Sequence, residues 1–289
     1  MLSMPVSIDM PAYLTRLGLP EMEDHEPSVT ALAALHRAHA ERVPYEVLWI
    51  PLGRQVTVCP REAVGRILAG RGGYCYHLNG AFSLLLRALG YRVTRHVGGV
   101  QGWRDEQAGA NGGHLALTVS GLPSDASPDG EWFVDLGMGD GLHGPLPLVT
   151  GEYEQGPFRY ALRPSEAEPG GWRFDHDPVG SFRGLDFRTE KARMSDFGVK
   201  HEEMSTSATS SFVLTPMAAR RDAAGVDVLR ARNLRRIDDG DVLTELATES
   251  EYFAALDGVF GMTFDAAERA ILWERASAAH DRWLREKKP

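Results

Sequence analysis

Cysteine is scarce in this chain, with two in 289 residues. That excludes a disulfide scaffold, and Cys59 and Cys75 with the scattered histidines lack the spacing of a structural zinc site. No apolar run approaches the roughly 18 residues of a membrane span, and no basic segment followed by an apolar one opens the chain. We therefore expect a soluble cytoplasmic protein with reduced cysteines, no metal and no membrane partner. Positive charge is also short: 31 basic against 40 acidic residues give −9. A general nucleic-acid binder needs a basic face to displace counterions, so none is expected. Gly72-Gly73 lacks the Lys-Ser/Thr of a phosphate loop, and Gly98-Gly99 with Gly102 lacks the strand–helix context of a dinucleotide fingerprint.

What remains is an ordinary globular composition, 43% apolar and 25% charged, long enough for two or three domains. Met1–Pro11 reads as a loose arm. Helical periodicity then dominates: Asp9–Gly18 with Tyr13, Leu14 and Leu17, a run capped by Ser28 that ends at Val43-Pro44, Pro60–Ala69, and a helix from Cys75 to Gly90. The period then changes to two. Tyr91–Val100, His114–Val119 and Glu131–Leu136 alternate between turn-rich clusters, with shorter candidates at 158–162 and 171–176. Beyond Asp186 the pattern is mixed. A short helix over 189–197, a polar loop at 205–211, strands over 212–218 and 225–237, and a helical stretch at 244–260 are expected. A final helix opens on the capping box Asp265/Glu268, with Ile271, Leu272 and Trp283 on its apolar side.

The chemistry concentrates at Arg71-Gly72-Gly73-Tyr74-Cys75-Tyr76-His77-Leu78-Asn79, a tight turn delivering a thiol into the first turn of a helix. The helix dipole and unpaired N–H groups there favour a thiolate; a buried packing cysteine fits the same stretch. A nucleophilic thiol needs a base, and the base an orienting partner. His114 opens an alternating strand after Gly112-Gly113, which reads as accessible yet backed by a core; an edge histidine is the alternative. Asp135 closes an apolar strand, where a carboxylate is costly without a partner. An imidazole N–H is such a partner, and a turn aspartate is the other reading. Gly137 and Gly139 would let backbone approach a ligand.

Arg71-Gly72-Gly73-Tyr74-Cys75-Tyr76 with Asn79, His114 on a strand, and Val134-Asp135-Leu136-Gly137-Met138-Gly139 together resemble the arylamine N-acetyltransferase family. Supporting likeness runs through Ala12–Gly18, Leu35-His36, Val43–Glu46, Ser205–Ser207 and Phe260–Met262. The resemblance implies an α+β fold: an N-terminal helical bundle (1–90), a central antiparallel β-barrel (91–204) and a C-terminal α/β lid (205–289), around a cysteine-protease-like core. It also implies a catalytic Cys75, His114 and Asp135, and a ping-pong transfer of acetyl from acetyl-CoA to an arylamine, hydrazine or arylhydroxylamine. Tyr45, Tyr74, Met138 and His77 are expected against the substrate, Gly112, Gly113, Gly137 and Gly139 against the cofactor, and Arg71 and Asn79 in support.

The departures bear on substrate. His77 stands where the family has Glu or Gln, Val47 where it has Asn, and Met138 where it has an aromatic. Met138 keeps an apolar wall but removes a stacking face. An amide synthase acting on a carrier-protein-bound acyl chain therefore stands as the alternative, although carrier proteins are acidic and the chain is too. A thiol hydrolase and a non-catalytic binding protein are the remaining readings.

Overall fold

The computed structural model describes residues 8–102 and 106–287. Residues 1–7 of the expected N-terminal arm lie outside these, and Met10 and Pro11 are already helical. Asp9 caps α1 (Met10–Leu17) by accepting from the Ala12 N–H, and Ser28 caps α2 (Val29–Arg42) through Ala31. A two-residue strand, β1 (Tyr45–Glu46), precedes α3 (Pro60–Leu68) and α4 (Cys75–Ala88). Tyr13, Leu14, Leu17, Leu32, Leu35, Ile67, Phe82 and Leu85 from these helices interlock with no exposed surface.

The middle of the chain is antiparallel throughout: β2 (Arg92–Gln101), β3 (His114–Ser120), β4 (Trp132–Val134), β5 (Leu146–Pro147), β6 (Gly151–Gln155), β7 (Phe158–Pro164), β8 (Trp172–Asp175) and β9 (Gly184–Phe187). They form one sheet in the order β5-β4-β3-β2-β9-β8-β7-β6. The sheet curls into a nearly closed barrel, so that Leu146 at one end shares an interior with Phe158, Tyr160 and Leu162 at the other. The alternation on β3 has a physical outcome here. Leu115, Leu117 and Val119 face the helical core, and Ala116 faces the barrel interior, as period two demands.

The last third holds α5 (Gly198–Thr206), α6 (Ser211–Leu214), β10 (Met217–Arg221), β11 (Val226–Arg230), β12 (Asn233–Ile237), β13 (Asp241–Glu245), α7 (Glu249–Gly258) and α8 (Ala266–Lys287). Its sheet runs β1-β10-β11-β12-β13, so Tyr45 pairs with Ala219 and Glu46 with Ala218, far apart along the chain. The fold is α+β, as expected.

Several local expectations are corrected. Only 194–197 of the helix expected at 189–197 is a turn of helix, and it is 3₁₀. Of the strand expected over 212–218, residues 212–214 are instead in the helix Ser211–Leu214, because Ser210 caps it through the Phe212 N–H. The start of the helical stretch expected at 244–260 is instead the end of the edge strand Asp241–Glu245; Thr248 and Glu251 form the capping box that starts α7 later. On α8 the Asp265/Glu268 box is present, Leu272 is buried, and Ile271 is 40% exposed.

Candidate active site

The turn before Cys75 is built from close approaches. A Cβ on Gly72 would lie 1.8 Å from the Pro44 carbonyl oxygen, so only glycine lets the two segments meet. Glu46 donates its N–H to the Gly73 carbonyl at 2.9 Å, which lays β1 alongside the turn. Glu46 itself is 2% exposed and is held by Arg66 at 2.8 Å and by the Leu48 N–H at 2.7 Å. Arg66 also reaches the Gly72 carbonyl at 3.2 Å. Arg71 spans outward, donating to the Thr263 carbonyl at 2.7 Å and covering the Phe264 ring. The turn is thereby tied to the chain ahead of α8.

Cys75 is the first residue of α4 and only 3% exposed. The helix's own hydrogen bonds begin at the His77 N–H, 2.9 Å from the Tyr74 carbonyl. The N–H groups of Cys75 and Tyr76 precede that bond and belong to the positive end of the helix. His114 starts β3, and its Nε2 lies 2.7 Å from Asp135 Oδ2. With Nε2 committed to Asp135, Nδ1 is the nitrogen left for the thiol. Burial opposes a charge on this imidazole, but the Asp135 carboxylate and the neighbouring Cys75 outweigh it and raise its pKa to about 10. Asp135 Oδ1 accepts from the Gly137 N–H at 2.8 Å, so both carboxylate oxygens are occupied. The structure thus brings together Cys75, His114 and Asp135 from the helix, β3 and the loop after β4. The expectation of an accessible His114 is corrected, since it is 1% exposed, and the alternative of an edge histidine falls because β3 lies between β2 and β4.

Asn79 stitches the three elements. Its Nδ2 donates to the Leu115 carbonyl at 2.6 Å, and its Oδ1 accepts from the Leu136 N–H at 2.8 Å. Each bond falls one residue after His114 or Asp135. His36, which sequence reasoning passed over, reaches the Asp135 carbonyl with Nε2 at 3.2 Å and the His143 carbonyl with Nδ1 at 3.1 Å. Its only signal in sequence was the Leu35-His36 likeness, because its partner lies 99 residues away.

Beside Asp135 lies a cavity of about 20 Å³ lined by Tyr45, Met138, Gly139, Leu142, Ala219 and Arg221, among others. That is room for a water molecule and no more. Tyr45 and Met138, expected against the substrate, both line this cavity. Met138 folds over Gly141, whose absent side chain leaves the notch it fills: a Cβ there would meet Met138 Cε at 2.9 Å.

Tyr74 and His77 are corrected. They sit three apart on one face of the helix start, turned away from the cavity, and are 0% and 1% exposed. The Tyr74 hydroxyl bonds His201 Nδ1 at 2.6 Å, and His201 Nε2 donates to the Val56 carbonyl at 2.6 Å. His77 Nδ1 accepts the Tyr74 N–H at 3.3 Å, and its ring packs edge-on against Trp49, Tyr74 and His201. Burial, with Arg66 and His201 nearby, lowers its pKa to about 3. It is a neutral brace for the turn.

Two of the expected cofactor glycines are also corrected. Gly137 is small to admit Cys75 itself: a Cβ would lie 2.5 Å from Cys75 Cα. Gly139, at φ +77, has Tyr45 and Ala219 against it. The Gly113 carbonyl lies 3.8 Å from Cys75 Sγ, and space is open beside Gly112. Among the described residues no group of His, Cys, Asp or Glu is arranged to hold a metal ion, and no helix is long and apolar enough to cross a membrane.

Comparison with known proteins places the chain in a family. An N-acetyltransferase family model matches residues 28–269. An arylamine N-acetyltransferase of Mycolicibacterium smegmatis is 32% identical over 243 residues, covering 79% of this chain and 82% of that one. A proansamycin X synthase of Amycolatopsis mediterranei is 27% identical over 261 residues, covering 86% and 95%. The solved M. smegmatis arylamine N-acetyltransferase superposes with a TM-score of 0.80 at 26% identity, covering 93% of this chain and 98% of that one. That of Mycobacterium marinum, solved in complex with CoA, gives 0.79 at 25% identity with the same coverage. The chain belongs to the arylamine N-acetyltransferase family.

Proposed function

We propose that the protein moves an acyl group, acetyl in the simplest case, from a coenzyme A thioester to the nitrogen of an arylamine, hydrazine or arylhydroxylamine. The transfer runs by a ping-pong mechanism through a thioester on Cys75. The observation that carries this is the His114–Asp135 bond of 2.7 Å beside a cysteine at a helix start. With the imidazole pKa raised to about 10, His114 is an imidazolium at neutral pH and pairs with a Cys75 thiolate.

The thiolate attacks the donor carbonyl, and the tetrahedral oxyanion takes hydrogen bonds from the N–H groups at the start of α4. Collapse expels the CoA thiolate, which takes the His114 proton, and leaves an acyl-Cys75 thioester with a neutral imidazole. The incoming amine then attacks that thioester, and His114 accepts the amine proton as the C–S bond breaks. This restores the thiolate–imidazolium pair and releases the amide. Asp135 holds the imidazole in register through its 2.7 Å bond to Nε2.

A second reading is favoured by one relative and one residue. The proansamycin X synthase likeness covers 95% of that protein, and Met138 lines the cavity where a family aromatic would stack. An amide synthase working on a carrier-bound acyl chain uses the same thioester chemistry with a different donor.

The test is to incubate the protein with acetyl-CoA and longer acyl-CoAs, then look for an acyl mass shift on Cys75. CoA release is followed on adding an aromatic amine or a hydrazide. Adduct and release, both lost in a folded Cys75→Ser variant, are expected. An adduct only from a carrier-protein thioester would select the second reading, and no adduct from either would end both.

A further inference from the structure

His114 follows Gly109-Ala110-Asn111-Gly112-Gly113, a segment with almost no side chain to fix it. Gly112 takes φ +84, and nothing lies within 4 Å of where its Cβ would be. Most of the ties on this segment run to the barrel or to itself. Gly109 donates to Asp186 at 3.2 Å, Ala110 to Glu168 at 2.6 Å, Gly112 to the Gly98 carbonyl at 3.0 Å and Gly113 to Asn111 Oδ1 at 2.8 Å. Those bonds hold the loop to the sheet. They do not set its distance from the helix that carries the thiol.

One short bond does. The Tyr76 hydroxyl donates to the Gly112 carbonyl at 2.6 Å. Tyr76 is the neighbour of Cys75, and Gly112 lies two residues before His114. Three residues along the helix, on the same face, Asn79 donates to the Leu115 carbonyl at 2.6 Å. Two pegs on α4 therefore grip the chain on either side of His114.

We infer that the Tyr76 hydroxyl is a positioning group that holds the His114 segment against Cys75 through the Gly112 carbonyl. The inference rests on the proposed thioester chemistry and deepens it. The ring of Tyr76 has a separate task, packing on Phe197 at 5.1 Å and Tyr74 at 5.4 Å between centroids, which a phenylalanine would perform equally. Its other polar contact, Met204 Sδ at 3.5 Å, is to a weak acceptor. Only the bond to Gly112 requires the oxygen.

Tyr76→Phe, Met204→Leu and Phe197→Leu are compared with the native chain in single-turnover acylation by acetyl-CoA. The KM for acetyl-CoA, the Cys75 alkylation rate with iodoacetamide at pH 7, and the melting temperature are also measured. Tyr76→Phe is expected to slow acylation and alkylation about ten-fold, since small misplacements of reacting groups cost rate. Its KM is expected to stay within about two-fold and its melting temperature within a few degrees. Met204→Leu should match the native chain. Native rates in Tyr76→Phe would overturn the inference. So would an equal loss in Phe197→Leu, which keeps the hydroxyl and disturbs only packing, or a Tyr76→Phe chain that fails to fold. Alkylation needs no acyl donor. If the native chain forms no acyl adduct, the proposed function fails while alkylation still decides the role of Tyr76.

Discussion

The Asn79 side chain accepts from the Leu136 N–H at 2.8 Å, locking the nucleophile's helix to the segment that presents Asp135. The same amide donates to the Leu115 carbonyl at 2.6 Å, so one fully buried side chain sets the spacing among helix, strand and loop. Asn79→Ala would leave an N–H and a carbonyl unpaired in the core. We expect a loss of about 2–4 kcal/mol and a larger proportional loss of acylation rate than of stability. Urea unfolding with a parallel acylation assay checks both.

Gly137 sits against the backbone of Cys75, with no room for a methyl group. Gly137→Ala must push the Asp135 loop away from the helix, because Cys75 Cα cannot yield as a flexible side chain would. We expect about 1–3 kcal/mol of destabilisation and loss of Cys75 acylation. Gly112→Ala provides the contrast: space is open there, and only its φ of +84 resists. Melting temperatures and adduct formation in the two variants separate crowding from backbone strain.

Three histidines make stability pH-dependent. Burial lowers His36 to about 4 and His39 and His77 to about 3. Below the unfolded value near 6.5 the unfolded chain takes up protons that the folded chain refuses. Stability therefore falls as pH drops from about 6.5 toward 4, by on the order of 2 kcal/mol per histidine at pH 5. His114 acts in the opposite sense. Its raised pKa contributes stability that is full below about 6.5 and is lost as pH rises through about 10. Urea midpoints from pH 4 to 10 should describe a maximum near neutrality. A midpoint that rises steadily on acidification would contradict these assignments.

Met138 fills the notch over Gly141 and leaves a cavity of about 20 Å³. Met138→Ala should open this space at a cost of about 2–5 kcal/mol. The ratio of kcat/KM for a bicyclic over a monocyclic aromatic amine should then rise by about ten-fold. Competition between two such amines for one acyl donor reads that ratio directly.

The sequence was most legible where one period or one cap decides the structure. Ser28 and the Asp265/Glu268 box start their helices as their spacing implies, and β3 alternates between two cores. Pairing between distant segments left no local trace. Tyr45–Glu46 is a strand only because β10 and the Cys turn lie on either side of it. Nearness in sequence also misled. Tyr74 and His77 adjoin the thiol along the chain, but helical geometry turns both toward Trp49 and His201. The partners of His36 and Asn79 lie in segments that only the fold brings near.

The most direct measurement is the intact mass of the protein, and of the peptide containing Cys75, after brief exposure to acetyl-CoA at neutral pH. A single added acetyl group on Cys75 is expected, absent in Cys75→Ser and discharged when an aromatic amine or hydrazide is added. With Asp135→Asn the adduct should form roughly 10²–10⁴-fold more slowly, because the imidazole loses the carboxylate that keeps it charged and oriented. A folded protein that takes no acyl group on Cys75 from any CoA or carrier-protein thioester would contradict the assignment of Cys75, His114 and Asp135 to acyl transfer.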